Sequence, residues 1–390
     1  MLTYNVSGKT RKKTQYIYEC IKSDIRTGTL KAGEKLPSKR SFAVHIGVSA
    51  ITVENAYALL EEEGYIEAHP RSGFYVREMM LPADFGESGS KLSKTGNAAG
   101  GNSTLSKTGS AAGGNSAEEK DPGFRIRYLQ EEDNVADERE IPQGMIKIMR
   151  QLLSERPGIL LEKTPHMGCV ALRNAIADYL KRYRGMNVQP ANVIVGSGSE
   201  YLYGMLVQLF GRGTVFGIEY PSYEKIEMVY ISNGAVTEHL NMGKDGILSP
   251  ELDRSKARIL HVSPYHSYPT GITASASKRY EYISWAKNRD GFLIEDDFDS
   301  EFAFLRKPIE PMFSMDNNDR VTYMNTFSKS IAPSIRVAYM VLPDRLMERY
   351  TENLGFYSCP VPVFDQYTLA EYIKNGMFER HLNRIRRRMQ

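Results

Sequence analysis

A lysine flanked by hydroxyl side chains follows an apolar run in the second half of the chain. The stretch "RVTYMNTFSKS" places Thr326 and Ser328 just before Lys329, and Arg336 comes seven residues later. A lysine amine forms a Schiff base with an aldehyde, while hydroxyl groups and a planar arginine bind a phosphate. These residue types suit a pyridoxal phosphate (PLP) site with Lys329 as the attachment point. On its own, the same pattern also fits an exposed lysine.

Carboxylates end a second apolar run, "FLIEDDFDSEF". PLP withdraws electrons only while its ring nitrogen is protonated, and a buried aspartate beside that nitrogen raises its pKa. We predict Asp296 for this position, with Asp297 as the second choice. The alternative is a solvated acidic loop.

A glycine-rich turn separates a third apolar run from a helical pattern in "VGSGSEYLYGML". Backbone amides at the start of a helix, together with the helix dipole, can hold a phosphate group. The turn therefore predicts a phosphate site at Gly198 and Ser199. The alternative is a plain helix cap formed by the Ser199 side chain.

Short apolar runs that end in polar loops alternate with helical patterns in the region after residue 122. The apolar runs are typical of buried strands, and "CVALRNAIADYLKRYRG" has helical periodicity. The alternation predicts an α/β fold whose chemistry lies where the strands end.

The first 80 residues have a different pattern, that of short helices followed by a hairpin. Ser38 and Ser49 are placed to cap two helices, and "YIEAHPRSGFYV" reads as two strands around a turn. This arrangement predicts a winged helix-turn-helix, which reads the DNA major groove with its second helix and contacts phosphates with its wing. The alternative is a small helical domain in which the serines only cap helices. The predicted DNA-binding residues are Ser38, Arg40, Ser49, Thr52, Asn55, Arg71, Ser72 and Gly73.

A low-complexity segment separates these two parts of the chain. Leu92–Ser103 recurs as Leu105–Ser116 with a single change, Asn97 to Ser110. The surrounding stretch holds too few apolar residues to offset the entropy of ordering it. We therefore predict a DNA-binding domain at 1–80, a flexible linker at 81–122 and a second domain at 123–390.

The composition predicts a chain without membrane spans. Hydrophobic residues make up 41% and charged residues 25% of the chain, and no run approaches the roughly 18 apolar residues of a spanning helix. The start, "MLTYNVSGKTRKK", lacks the apolar stretch of a secretory signal. Three distant cysteines in no metal-ligand spacing predict reduced thiols in the cytoplasm and no metal site. Residues 1–80 hold 12 Lys and Arg against 9 Asp and Glu, a weak indication of a polyanionic partner.

The stretch "LPSKRSFAVHIGVSAITVENAYALLEEEGYIEAHPRSGFYV" resembles the GntR-type winged helix. The resemblance covers residues 12–76 and implies DNA contacts by Arg40, Ser49, Thr52 and Gly73. Two positions depart from it, because relatives carry arginine where this chain has Ala50 and Glu54. Fewer cations predict weaker DNA affinity and a shallower dependence on salt.

The order of glycine-rich turn, strand-end aspartate and Ser-Lys-x₆-Arg resembles fold-type I aminotransferases. Together with the GntR-type head, the chain resembles the MocR/GabR group of regulators, which "YPSYEK", "SPYHSYPTG" and "FERHLNRIRRR" also match. The resemblance implies a multi-domain homodimer, with a winged helix joined to an α/β PLP-dependent aminotransferase fold. It implies Lys329 and Asp296 as catalytic residues, with cofactor contacts from Gly198, Ser199, Glu200, Tyr223, His266, Phe298, Thr326, Ser328 and Arg336.

The chain departs from that family at three points. Phe298 stands where relatives have a tyrosine that bonds the cofactor's ring oxygen. Lys225 stands where close relatives have an arginine for an effector carboxylate, and a lysine cannot bind it in bidentate geometry. The family's C-terminal subdomain of roughly a hundred residues follows the position of Gln390, so we expect that lobe to be truncated and transamination to be poor.

Three functions compete at this level. The first is a cytoplasmic transcription regulator that binds operator DNA and senses an amine or amino acid through aldimine formation with PLP. The second is an aminotransferase whose head is incidental. The third is a GntR-type regulator whose second domain has lost PLP and serves for dimerisation.

Overall fold

The computed structural model describes Tyr4 and residues 13–70, 72–79, 142–302 and 309–389. The predicted linker at 81–122 and the predicted DNA contact Arg71 lie outside this described part. The described residues form a winged helix and a large α/β region.

The winged helix contains three helices and a two-stranded hairpin. Ser38 caps the second helix by accepting a hydrogen bond from the Ser41 amide, and Ser49 caps the third by accepting one from the Thr52 amide, as predicted. Gly47 ends the second helix with a left-handed φ of 67°, a conformation that glycine adopts without strain. The elements are α1 (Lys13–Arg26), α2 (Lys39–Ile46), α3 (Ala50–Glu62), β1 (Ile66–His69) and β2 (Gly73–Val76).

One face of α3 forms the centre of this small core. Val53, Ala56, Tyr57 and Leu60 are buried, and they recur at the spacing of one helix face. The opposite face of α3 stays accessible, and Ile51 is 67% exposed. The helix is therefore held by its inner face while its outer face is presented to solvent.

An eight-stranded sheet forms the centre of the α/β region. In spatial order its strands are β3 (Val193–Gly196), β10 (Ala338–Val341), β9 (Val321–Thr326), β8 (Phe292–Asp296), β7 (Ile259–Val262), β4 (Val215–Tyr220), β5 (Val236–Gly243) and β6 (Gly246–Ile247). The central strands from β9 to β5 run parallel. β10 is antiparallel to both β3 and β9, and β6 is antiparallel to β5. The carboxyl ends of the parallel strands therefore lie along one edge.

Helices cover this sheet and surround it. They are α4 (Gln143–Glu155), α5 (Val170–Tyr183), α6 (Ser199–Phe210), α7 (Glu224–Ser232), α8 (Ser249–Arg254), α9 (Ala276–Asn288), α10 (Met312–Met315), α11 (Phe327–Ser330), α12 (Asp344–Leu354), α13 (Val363–Lys374) and α14 (Met377–Met389). Three-residue or five-residue 3₁₀ turns add Pro157–Leu161, Pro190–Asn192 and Ser300–Phe302.

The described helices are short relative to a bilayer span, which needs about 20 mostly apolar residues. None of them is both long and apolar enough to cross a membrane alone, although α2 and α3 together, which meet at 119°, have the required length and composition.

Candidate functional site

Three of the predicted site residues lie at the same edge of the sheet because of the strand register. β8 ends at Asp296, which is paired with Met324 in β9, and β9 ends two residues later at Thr326. Lys329 follows on the short helix α11, and Arg336 stands just before β10. Because β10 is antiparallel, its first residue Ala338 is paired with Thr326 at the end of β9.

The amine of Lys329 points toward an acidic partner that the sequence analysis did not assign. Its Nζ lies 3.3 Å from Asp299 Oδ1 and 4.5 Å from the centre of the Phe298 ring. The other Asp299 oxygen lies 2.6 Å from His266 Nδ1. The Lys329 side chain is 49% exposed, so the amine is both held and accessible.

Asp296 is buried and its carboxylate is held by two neighbouring side chains. The residue is 4% exposed, which makes the alternative of a solvated acidic loop wrong for this residue. The hydroxyl of Tyr203 donates to Asp296 Oδ2, and His261 Nε2 lies 3.5 Å from the same oxygen. His261 Nδ1 is in turn 2.6 Å from the hydroxyl of Tyr230. Burial and the nearby charge of Asp296 raise the pKa of Tyr203, so its hydroxyl remains a donor.

Asp297, the second choice for this role, takes part in a different set of contacts. Its Oδ2 accepts hydrogen bonds from Arg184 Nη2 at 2.6 Å, Tyr323 at 2.5 Å and Ser300 at 2.8 Å. The side chains of Asp297 and Arg184 are 2% and 5% exposed. These contacts make Asp297 a structural residue that supports the end of β8, and they favour Asp296 as the functional carboxylate.

At the predicted phosphate site, the guanidinium of Arg336 lies close to the backbone of Gly198. Gly198 has a φ of +100°, and a Cβ placed on it would lie 2.5 Å from Arg336 Nη2. A side chain at this position would displace the guanidinium, and the positive φ also disfavours any residue other than glycine. Gly198 is also the N-cap residue of α6 and no side chain caps that helix, so the alternative of a plain cap formed by Ser199 is wrong. Binding of a phosphate by the first amides of α6 beside Arg336 stays a prediction.

The hydroxyl groups predicted at this end contact the backbone of the chain. Ser328 Oγ donates to the Ile335 carbonyl at 2.8 Å, and Thr326 Oγ1 accepts from the Ser328 amide at 3.3 Å. These contacts hold the segment between Lys329 and Arg336 in place. Direct contact of either hydroxyl with a phosphate stays a prediction.

Two basic side chains at this end share one carboxylate. Glu200 Oε2 lies 2.8 Å from Arg336 Nη2, and Glu200 Oε1 lies 3.3 Å from Lys225 Nζ. The Lys225 amine also lies 5.7 Å from the centre of the Tyr223 ring, which packs edge-on against Tyr268. Glu200 is therefore paired with the guanidinium of Arg336, the group that is predicted to bind the cofactor phosphate.

Replacing Glu200 with glutamine is expected to strengthen PLP binding about two- to fivefold. The neutral amide would neither compete with the phosphate for Arg336 nor repel it, and exposed charge pairs of this kind are worth about 1 kcal/mol or less. The measurement is a spectrophotometric titration of the cofactor-free protein with PLP. Glu348→Gln, an exposed change on α12, is the control. Unchanged or weaker binding by the Glu200 variant would contradict the competition.

The predicted DNA-reading residues lie on the accessible side of the winged helix. Arg40, Ser49 and Ser72 are exposed, while Thr52 and Asn55 are partly exposed on the first turns of α3. Ser49 Oγ lies 2.7 Å from Thr52 Oγ1. The structure thus brings the residues of α3 into one surface, and DNA contact by each of them stays a prediction.

Glu54, which stands where relatives carry arginine, has an ionic partner on the preceding helix. Glu54 Oε1 lies 2.8 Å from Lys39 Nζ, and the hydrogen bond and charge of Lys39 lower the pKa of Glu54. Lys39 and Glu54 thus form an exposed ion pair, and the weaker DNA affinity expected from Glu54 stays a prediction. Ser72 at the wing bonds Tyr75 at 2.6 Å, and Gly73 has a φ of +116° that suits a tight turn.

Three residues of the site were missed from sequence. Asp299 lies in the same acidic run as Asp296 and could have been proposed from that run. Tyr203 lies one helical turn after Ser199, and His261 is a polar residue inside an otherwise apolar strand, which is the signal that could have marked it.

Two family comparisons divide the chain in the same way as its fold. Residues 13–76 match the family described as "Bacterial regulatory proteins, gntR family", and residues 134–390 match "Aminotransferase class I and II". The archaeal alanine:glyoxylate aminotransferase structure superposes with a TM-score of 0.57 at 25% identity, covering 62% of this chain and 62% of that one.

Two transcriptional regulators are similar to this chain over most of its length. The HTH-type transcriptional regulator YdeL of Bacillus subtilis (strain 168) is 31% identical over 375 residues, which are 96% of this chain and 76% of YdeL. The probable rhizopine catabolism regulatory protein MocR of Rhizobium meliloti is 29% identical, over 95% of this chain and 73% of MocR. The chain therefore belongs to the MocR-type transcriptional regulators, in which a DNA-binding winged helix of the gntR family precedes an aminotransferase class I and II domain.

Proposed function

We propose that this regulator holds PLP on Lys329 and uses it to sense a primary amine or amino acid. The observation that supports the proposal is that the strand register brings Lys329, Asp296 and Arg336 to one edge of the sheet. The aminotransferase-class domain agrees with it. When bound, PLP supplies an aldehyde that condenses with primary amines and a ring nitrogen that can be protonated.

Each of these residues has a separate role toward the cofactor. Arg336 and the amides at the start of α6 bind the phosphate, and Gly198 lets the arginine approach. Asp296 holds a proton on the ring nitrogen, since Tyr203 and His261 fix its carboxylate and its burial strengthens the charge interaction. Lys329 presents its amine between Phe298 and Asp299.

Proton transfer at Lys329 is assigned to Asp299 and His266. A lysine reacts as a nucleophile only after its Nζ loses a proton. Asp299 lies between Lys329 Nζ and His266 Nδ1, so its carboxylate can carry a proton between those two nitrogens. Phe298 provides an apolar wall with no hydroxyl group, which distinguishes this site from one with a tyrosine at that position.

Recognition of the effector is assigned to the surface beside the phosphate end. Lys225 and Tyr223 lie there at the start of α7, and Lys225 is held by Glu200. A carboxylate on the effector would compete with Glu200 for Lys225 and would form a single-point ion pair. This arrangement favours an amine that carries one acidic group.

The regulator is proposed to act in the cytoplasm as a homodimer on operator DNA. Winged helices commonly read two half-sites related by symmetry, which requires two heads. Aminotransferase-type sites are commonly built between two subunits, and both arguments are by analogy.

The test of this function measures the cofactor and the DNA together. Purified full-length protein with PLP is titrated with candidate amines and amino acids while its visible absorbance and its affinity for upstream DNA are followed. We expect one class of amine to change both signals at the same concentration. Colourless protein that still shifts DNA would contradict cofactor binding, and steady conversion of an amino donor and a keto acid would favour an enzyme.

A further inference from the structure

The end of the DNA-reading helix packs directly against the α/β region. The carbonyl of Glu63, which follows the last residue of α3, accepts a hydrogen bond of 2.9 Å from the amide of Ala276, the first residue of α9. Gly64 has a φ of +77°, and a Cβ placed on it would lie 3.1 Å from the Cβ of Ser275. The turn after α3 therefore touches the turn before α9 through the backbone itself.

A buried ion cluster lies beside this backbone contact. Lys22 Nζ on α1 lies 3.0 Å from Glu63 Oε2 and 2.6 Å from Glu310 Oε2, and the Lys22 side chain is 4% exposed. The Tyr18 hydroxyl lies 2.7 Å from the same amine. Arg26 adds a second positive charge at 3.9 Å from Glu310. Glu310 belongs to the α/β region, so one charged lysine of the winged helix is neutralised from both sides of the contact.

Arg279 on α9 completes the cluster from the other side. Its Nη1 donates to the Glu310 carbonyl at 2.6 Å, and its Nη2 donates to the Glu63 carbonyl at 3.4 Å. The residue is 1% exposed. Both Nη atoms of this buried guanidinium therefore meet backbone acceptors, one on each side of the contact, which offsets part of the cost of burying the charge.

Apolar side chains continue across the same contact. Tyr65 after α3 and Tyr280 on α9 are both fully buried, and they belong to a single hydrophobic cluster that also contains the winged-helix core and Met312. We call Lys22, Glu63, Arg279, Glu310 and the pair Ser275–Ala276 the docking surface.

We propose that the docking surface is the point at which the cofactor site controls the DNA-reading helix. The proposal rests on the function proposed above and adds the route by which that site acts. Two segments that leave the site end on the docking surface. The first holds the Glu63 carbonyl at the carboxyl end of α3, and the second holds Lys22, which pairs with the Glu63 carboxylate.

The first segment is the loop from β7 to α9. It carries His266, which contacts Asp299 beside Lys329, and it ends at Ser275 and Ala276. The loop is tied across its base, since the Ala274 amide donates to the Pro264 carbonyl at 2.7 Å. A displacement of His266 would therefore move the loop, which this hydrogen bond closes. That movement would shift the Ala276 amide, which donates to the Glu63 carbonyl.

The second segment begins next to Asp296. The carboxylate of Glu295 accepts hydrogen bonds from the amides of Met312 at 2.8 Å and Phe313 at 2.9 Å. Glu310 lies two residues before Met312 and binds Lys22 and Arg279. A shift of the end of β8 therefore moves the partner of the buried lysine.

A disulfide tests whether the docking surface exists in solution. Gly64→Cys and Ser275→Cys are introduced together into full-length protein that also carries Cys20→Ser. The two Cβ positions are close enough for a disulfide with a small adjustment. Because the φ of +77° at Gly64 strains any side chain there, Gly64→Ser is the matched control for the effect of the substitution itself. We expect mild oxidation to link them within one chain, which a non-reducing gel and peptide mapping would show. Absence of the disulfide, or a disulfide between two chains, would overturn the docking of the winged helix on the α/β region of the same chain.

Glu310→Gln tests the coupling. In wild-type protein, adding PLP is expected to change hydrogen exchange of the amides at 60–66 and 274–279 by about threefold or more. In Glu310→Gln, the cofactor absorbance should be unchanged, while exchange at 60–66 should be fast and insensitive to PLP. Glu352→Gln, an exposed change on α12, is the control.

The outcomes separate this proposal from the function on which it rests. No cofactor absorbance in wild-type protein would contradict the proposed function. A normal absorbance with no PLP-dependent exchange at 60–66 would overturn the coupling alone, as would a Glu310→Gln protein that responds like wild type. If Glu310→Gln does not fold, the oxidised disulfide protein replaces it: its exchange at 60–66 should no longer respond to PLP, and a wild-type response there would overturn the coupling.

Discussion

Replacing Lys329 with alanine is expected to abolish covalent attachment of PLP and with it the visible absorbance of the cofactor-loaded protein. The Lys329 amine lies at the edge of the sheet where Asp296 and Arg336 also lie, and its side chain is half exposed. Alanine removes the amine but leaves Arg336, so the variant should still bind the phosphate part of PLP weakly. The measurement is the absorbance spectrum after gel filtration.

Borohydride reduction gives the same prediction a second readout. Reduction fixes PLP to the lysine that holds it, and peptide mapping should find the label on the peptide that contains Lys329. Lys374→Ala, an exposed lysine on α13, should keep both the spectrum and the label. A label on another lysine in the wild-type protein would show that Lys329 is not the attachment point.

Replacing Arg184 with methionine is expected to lower the free energy of unfolding by about 3 kcal/mol, because it leaves the buried carboxylate of Asp297 without its ionic partner. Burial opposes the charge on Arg184, yet the neighbouring Asp297 holds the pKa of Arg184 above its ordinary value. Tyr323 and Ser300 still donate to Asp297 in the variant, so the loss should lie at the low end of the usual range. Chemical denaturation measures it, with Arg345→Met, an exposed change on α12, as the control.

The loss should grow as the pH rises, because a second buried carboxyl shares this environment. Burial and the charge of Asp297 raise the pKa of Glu301 from 4.5 to about 7, and Arg184 opposes that rise. A raised carboxyl pKa means that the folded state binds more protons than the unfolded state between these values, so stability falls as pH increases through that window. Removing Arg184 raises the pKa of Glu301 further, so the pH range over which stability falls extends upward. A difference between variant and wild type that shrinks from pH 6 to pH 8 would contradict this account.

Local features of the fold were predictable because their causes lie within a few residues. Ser38 and Ser49 cap their helices as expected, since a cap joins a side chain to an amide three residues away. The buried face of α3 and the strand before Lys329 follow from apolar spacing in the same way. The direction of β10 did not follow, because an apolar run such as "RVAYMVLP" predicts a strand but does not reveal its orientation.

Contacts between distant positions account for most of what the sequence did not predict. Tyr203 and Asp296 are 93 positions apart, and Arg184 and Asp297 are 113 apart. Such pairs form only after the sheet has assembled, so no local pattern marks them. The choice of Asp296 over Asp297 was made on position alone, and only the surroundings of each carboxylate give it a physical reason.

The reversal of direction between β9 and β10 limits how this protein can change in evolution. The segment that carries Lys329 must turn back within eleven residues to start β10 beside the end of β9. An insertion there would pull the guanidinium of Arg336 away from the amine, whereas the long crossovers between the parallel strands can absorb extra residues in their helices. Natural variation in length should therefore concentrate in those crossovers. Chimeras that exchange loops of the α/β region should keep the segment between β9 and β10 intact.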